Sequence, residues 1–337
     1  MSHDHDDHSD HSNPHDEHNH THGVVDPSLF STDRGIAALK LSLVGLLVTA
    51  GLQVVVVFFT GSVALLADTI HNFGDAFTAV PLWIAFRLSG RQPNQRFTYG
   101  YGKVEDLAGV IIVVMILLSS IAAAYESIQR LLHPQPVNHV WAVIAASIVG
   151  FLGNEAVAYY RIKVGQEIGS AALVADGYHA RIDGLTSLAV LAGAIGVQLG
   201  FPLADPLVGL LITLAILRIV WDSAKSVFTR LLDGVDPEIV GELRHGAEHV
   251  AGVLAVTEAR VRWLGHRMHA ELHITVDAQF SVEQGHSIAN AVHHELMHHL
   301  NYLSSATIHI DPANASGAEH HRVEGHEHDG LEKHGHS

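Results

Sequence analysis

The chain has 337 residues, 48% hydrophobic and 16% charged, with a formal net charge of −16 and a mean hydropathy of +0.22. Ordinary soluble domains carry about 25% charged residues, so the composition leans toward a membrane protein. With no cysteine, disulfides and thiolate metal sites are excluded; the acidic balance argues against nucleic acid and, with 29 His against 19 Lys plus Arg, for cations as partners.

Met1–Gly23 alternates His with Asp, Glu, Ser and Asn and has no apolar h-region, so it does not read as a signal peptide. Such a stretch cannot offset its ordering entropy, which predicts a disordered tail that binds Zn²⁺ loosely. Six apolar segments follow, each near the roughly 20 residues that cross a bilayer core. They are placed at about Gly35–Thr60, Ala64–Phe86, Val104–Ser127, His139–Tyr160, Ala171–Leu199 and Ala204–Ser223.

Lys and Arg gather on one side of these segments. Arg87, Arg91, Arg96 and Lys103 follow the second, Arg161 and Lys163 the fourth, and Lys225 and Arg230 the sixth. Only Arg130 stands on the other side. Both termini are therefore expected in the cytoplasm.

From about Leu231 the pattern turns polar–apolar. Pro237–Val250 reads as an amphipathic helix, Ala255–Trp263 and Met268–Asp277 alternate like strands, Ser281–Leu300 is helical, and Ser305–Ile310 is a last strand. The predicted division is a 1–34 tail, a 35–230 all-α six-helix transmembrane bundle, a 231–312 α+β domain of αββαβ order, and a disordered His-rich tail over 313–337.

Chemistry concentrates in two of the apolar helices. His71 and Asp75 in the second, and His179 and Asp183 in the fifth, are each four residues apart, so each pair shares a helix face. A charge at the bilayer centre costs about 2.5–3.5 kcal/mol on insertion scales, so such groups pair up or line a pathway. Two His and two Asp brought together form a tetrahedral N2O2 set that suits Zn²⁺. Asp68 and Asp176, three residues before each His, read better as helix–helix partners than as ligands.

The segments ALLADTIHNFGDA and LVADGYHARIDGL closely resemble the cation diffusion facilitators, as do FTYGYGKVEDLAG and LLDGVDPE. The resemblance covers Gly35 to Pro312. It implies a homodimeric transporter, not an enzyme, that exchanges cytoplasmic Zn²⁺ for H⁺ by alternating access, with His71, Asp75, His179 and Asp183 as the transport site. The His-Asp/His-Asp version is similar to that of zinc-selective members.

It further implies a cytoplasmic site of His273, His286, His309 and Asp311, where bound Zn²⁺ acts as a regulatory ligand; one further family His aligns with Thr257. A connector site built on Gly-His-Gly-Lys is implied missing, since this chain reads Gly100-Tyr101-Gly102-Lys103 with Phe97 nearby. Lys103 and Asp233 fall where an opposite-charge interlock stands.

Two other readings compete. One is a membrane-bound zinc sensor or buffer that uses the tails and C-terminal domain alone. The other rests on His294-Glu295-Leu296-Met297-His298, a literal H-E-x-x-H metalloprotease signature. Val292, Leu296 and Leu300 form the apolar stripe of that helix, which turns the His and Glu residues toward solvent.

Overall fold

The computed structural model describes residues 27–60, 79–132, 140–201, 203–317, 319–320, 323–326 and 334–336. Its first part is helical: α1 (Pro27–Thr60), α2 (Ala79–Ser89), α3 (Lys103–Leu132), α4 (Val140–Ile168), α5 (Ala171–Gln198) and α6 (Ala204–Leu231). Among the described residues five of these, α1 and α3–α6, are long and apolar enough to cross a membrane; α2 is a shorter apolar helix. The expected second segment lies largely in 61–78, outside the described residues, and with it His71, Asp75 and Asp68.

Several helices outrun the hydropathy pattern, three of them by about two turns. α1 begins at Pro27 instead of Gly35, α4 runs to Ile168 instead of Tyr160, and α6 runs to Leu231 instead of Ser223. Apolar length marks hydrocarbon thickness, whereas the backbone ladder continues wherever polar side chains find partners. Arg161, counted above as a loop charge, is one such residue: it lies inside α4 with its side chain 1% exposed.

The bundle core is built from Leu82, Phe86, Ile112, Ile116, Leu173, Ile182 and Ile216, all fully buried. α4 and α5 nest backbone to backbone. A Cβ on Gly177 would stand 2.7 Å from Ile162 Cγ1 and 2.9 Å from Ile162 N, so only glycine fits that crossing. Leu41, Val48, Phe58, Trp141, Leu214 and Trp221 face outward, as lipid-facing positions do.

The C-terminal domain follows with α7 (Pro237–Glu248), β1 (Ala255–Leu264), β2 (Arg267–Val276), α8 (Val282–His299) and β3 (Leu303–Pro312). The expected αββαβ order holds. Asp236 caps α7 by accepting from Glu238 N–H, and a Ser281–Gln284 capping box starts α8. The sheet order is β1-β2-β3, with β1 antiparallel and β3 parallel to β2, and α8 as the crossover.

Alternation puts Met268, Ala270, Leu272 and Ile274 on the face covered by Leu243, Val292 and Leu296 of α7 and α8. The other face carries the polar residues. Beyond β3, in the tail expected to be disordered, β4 (Val323–His326) pairs with β5 (His334–His336). A two-stranded ribbon is marginal in water on its own.

The C-terminal domain docks where six helix ends gather. Tyr302 O–H donates to Gln166 O at the end of α4, and Arg230 at the end of α6 lies 4.0 Å over the Trp263 ring. His266 reaches Thr32 near the start of α1, Glu105 at the start of α3, and Phe86 at the end of α2. Ser170, before α5, joins the same cluster. These are the ends that Lys/Arg counting assigns to one side.

Candidate metal centres

α5 carries the membrane pair. Ser170 caps it in extended geometry (φ −92°, ψ 104°), its hydroxyl accepting from Leu173 N–H at 3.1 Å. His179 and Asp183 follow on one face, 2% and 6% exposed, with Nδ1 and Oδ1 4.0 Å apart. Tetrahedral Zn²⁺ would draw these two donors to about 3.4 Å, a small side-chain rotation from the separation here. The partners expected from the second helix, His71 and Asp75, fall outside the described residues.

One turn earlier on α5, Asp176 Oδ2 meets Arg161 Nη1 at 2.9 Å, with side chains 0% and 1% exposed. The arginine neutralises Asp176 and ties α5 to α4, the helix–helix role expected of that carboxylate. Glu155, near the middle of α4, is held by Arg181 of α5 at 2.7 Å. Arg161 was missed because hydropathy ended the fourth segment at Tyr160 and left the arginine in the link, whereas the helix runs on to Ile168.

The second centre lies on the polar face of the C-terminal sheet. His273 on β2 is the register partner of His309 on β3, and their rings stand 4.6 Å apart. Asp311, 3% exposed, places Oδ1 3.0 Å from His309 Nε2 and Oδ2 4.0 Å from His273 Nδ1. One donor from each of the three lies within 4.8 Å of the others. Tetrahedral Zn²⁺ holds donors about 3.4 Å apart, so small side-chain rotations fit this set to the ion.

His286 does not join this group. It is exposed on α8, which packs against the opposite face of the sheet. Glu258 stands closer, its Oε2 3.6 Å from His273 Nε2. A bulge between Val256 and Glu258 turns Glu258 toward the metal face, while Thr257 donates to His273 O at 3.3 Å. Unbroken alternation would have kept Glu258 on the side of Val256, which hid it from sequence analysis.

The remaining motif residues are also placed. His294 and His298 are exposed with rings 4.4 Å apart, while Glu295 pairs with His299 at 2.6 Å. Val292, Leu296 and Leu300 are buried as the pattern required. Lys103 Nζ meets Asp233 Oδ1 at 2.7 Å and also donates to Arg230 O. In the connector, the Phe97 and Tyr101 rings lie 4.8 Å apart, tilted by 40°.

Comparison with known proteins decides the family. The family described as "Cation efflux transmembrane domain" matches residues 39–232, and that described as "Cation efflux protein, cytoplasmic domain" matches residues 235–313. The chain belongs to the cation efflux family. It is 55% identical to a probable cation efflux system protein of Mycobacterium tuberculosis, over 87% of this chain and 90% of that protein. It is 26% identical to metal tolerance protein C1 of Arabidopsis thaliana, over 81% of this chain and 62% of that protein.

Among solved structures, a MamM CTD variant in its cadmium form is 29% identical, covering 23% of this chain and 95% of that one, with a TM-score of 0.22. This cation efflux protein is thus a multi-pass integral membrane transporter of metal ions with a cytoplasmic α+β domain.

One further group of the cytoplasmic domain predicts a pH effect. His269, half-buried on β2 beside Tyr99, has its pKa pushed below the usual value by burial, then by Arg262 and Arg267. The unfolded chain then binds more protons below about pH 6.5, so stability is full above that pH and is lost as pH falls. The cytoplasmic domain should melt earlier at about pH 5.5 than at about pH 7.5, and His269→Phe should shrink the difference. An unchanged difference in the variant would count against His269 as the source.

Proposed function

We propose that this cation efflux protein exports Zn²⁺ from the cytoplasm in exchange for H⁺. The ion is the substrate of a site formed by His71, Asp75, His179 and Asp183, which opens alternately to either side. The observation that carries this reading is the buried His179–Asp183 pair on a membrane-spanning helix. Imidazole must be neutral to ligate, so Zn²⁺ binding expels protons and protonation expels Zn²⁺. With an unperturbed pKa of about 6.5, histidine suits that exchange near neutral pH.

In the same reading the protein is a homodimer with both termini in the cytoplasm. His273, His309 and Asp311, with Glu258 beside them, form a regulatory Zn²⁺ site, and the His-rich tails raise the local ion concentration. A sensor or buffer has no need of ligands at membrane depth. A protease role for His294, Glu295 and His298 fits poorly with an exposed His pair and a glutamate engaged by His299.

The test is a Zn²⁺ titration of the purified full-length protein in weak buffer, followed by proton release. Wild type should show two classes of tight site, each releasing protons. Asp183→Ala should lose one class and Asp311→Asn the other. An Asp183→Ala protein that titrates like wild type would contradict the membrane site.

A further inference from the structure

The β1–β2 turn packs tightly against the bundle. Gly265 adopts φ +67°, and a Cβ there would lie 2.7 Å from Glu105 Oε2 and 2.9 Å from Gly102 O. A Cβ on Gly102 would lie 2.5 Å from Leu264 O. Both glycines are needed for the turn to seat against the start of α3. Asp106 Oδ2 then accepts Gly265 N–H at 3.3 Å.

Seating the turn drives His266 into the bundle. Turn residues are ordinarily solvated, yet the His266 and Glu105 side chains are each 1% exposed. Burial of such groups is tolerated only with partners, and here they form a chain. His266 Nδ1–H donates to Glu105 Oε2 at 2.7 Å, and Nε2 lies 3.2 Å from Thr32 Oγ1 of α1. Glu105 Oε1 accepts the Ser170 hydroxyl at 2.5 Å, and that hydroxyl accepts Leu173 N–H at 3.1 Å. The chain ends on the first turn of the helix that carries His179 and Asp183.

We infer that His266 is a positioning residue for the α5 metal pair. Through Glu105 and Ser170 it fixes the cytoplasmic end of α5, with His179 about 14 Å further along the helix. His273 lies on the same strand that leaves the turn, about 23 Å along β2. This rests on the transport reading of His179 and Asp183.

The experiment compares full-length His266→Leu, His266→Asn and Asp183→Ala, using Zn²⁺ flux into proteoliposomes and amide hydrogen exchange. His266→Leu fills the space without a donor; it should slow flux on the order of tenfold and speed exchange at Leu173, with α8 protected as in wild type. His266→Asn keeps an N–H near the place of Nδ1 and should restore both. Wild-type flux and Leu173 protection in His266→Leu, beside an inactive Asp183→Ala, overturn the positioning role and leave the transport site standing. Undiminished flux in Asp183→Ala overturns the transport reading itself. If His266→Leu fails to fold, His266→Asn decides: a protected Leu173 amide with normal flux supports the link, and an exposed one overturns it.

Discussion

Asp176→Ala is expected to destabilise the membrane domain by about 3–5 kcal/mol, the range for removing one member of a buried ion pair. The cause is the arginine left behind. Arg161 is 1% exposed, in α4 where it packs on α5, and without Asp176 its charge has no carboxylate at 2.9 Å. The double variant Arg161→Met with Asp176→Leu should recover most of the loss, since apolar residues of similar volume often replace such a pair at no cost. Thermal unfolding in detergent measures both. Equal midpoints for wild type and Asp176→Ala would show that the pair does not hold α4 to α5.

The second large effect is on transport. Asp183→Ala and His179→Ala each remove a proposed direct ligand. Loss of partners that merely orient ligands costs about 10–100-fold in metal affinity or activity, so loss of a ligand should exceed that range. Zn²⁺ flux should fall below detection in both variants, while their folding stays close to wild type because neither carries the Arg161–Asp176 pair. Flux within about tenfold of wild type would remove the pair from the pathway.

Much of this was legible in the chain. Apolar segments of bilayer length mark the spanning helices, and the four-residue spacing of His179 and Asp183 survives as one buried face of α5. The family resemblance grouped His273 with His309 and Asp311, and the β2–β3 register sets His273 beside His309. Four features were hidden for physical reasons. Arg161 looked like a loop charge because hydropathy ended the fourth segment at Tyr160, whereas the helix runs on to Ile168.

The β1 bulge reversed alternation and brought in Glu258. His266 sat in a turn, where burial is unexpected, and only the two facing glycines allow it to enter the bundle. His286 has the right chemistry, but residue type says nothing about which face of a sheet a helix covers.

In the proposed function, protons drive Zn²⁺ through the site on α5. Proteoliposomes holding the full-length protein, loaded to different internal pH and monitored with an internal Zn²⁺ dye, test it directly. Zn²⁺ flux should rise with an opposing proton gradient, collapse when a protonophore abolishes the gradient, and be missing in Asp183→Ala. Zn²⁺ flux equal at every imposed gradient, or unaltered in Asp183→Ala, would contradict it.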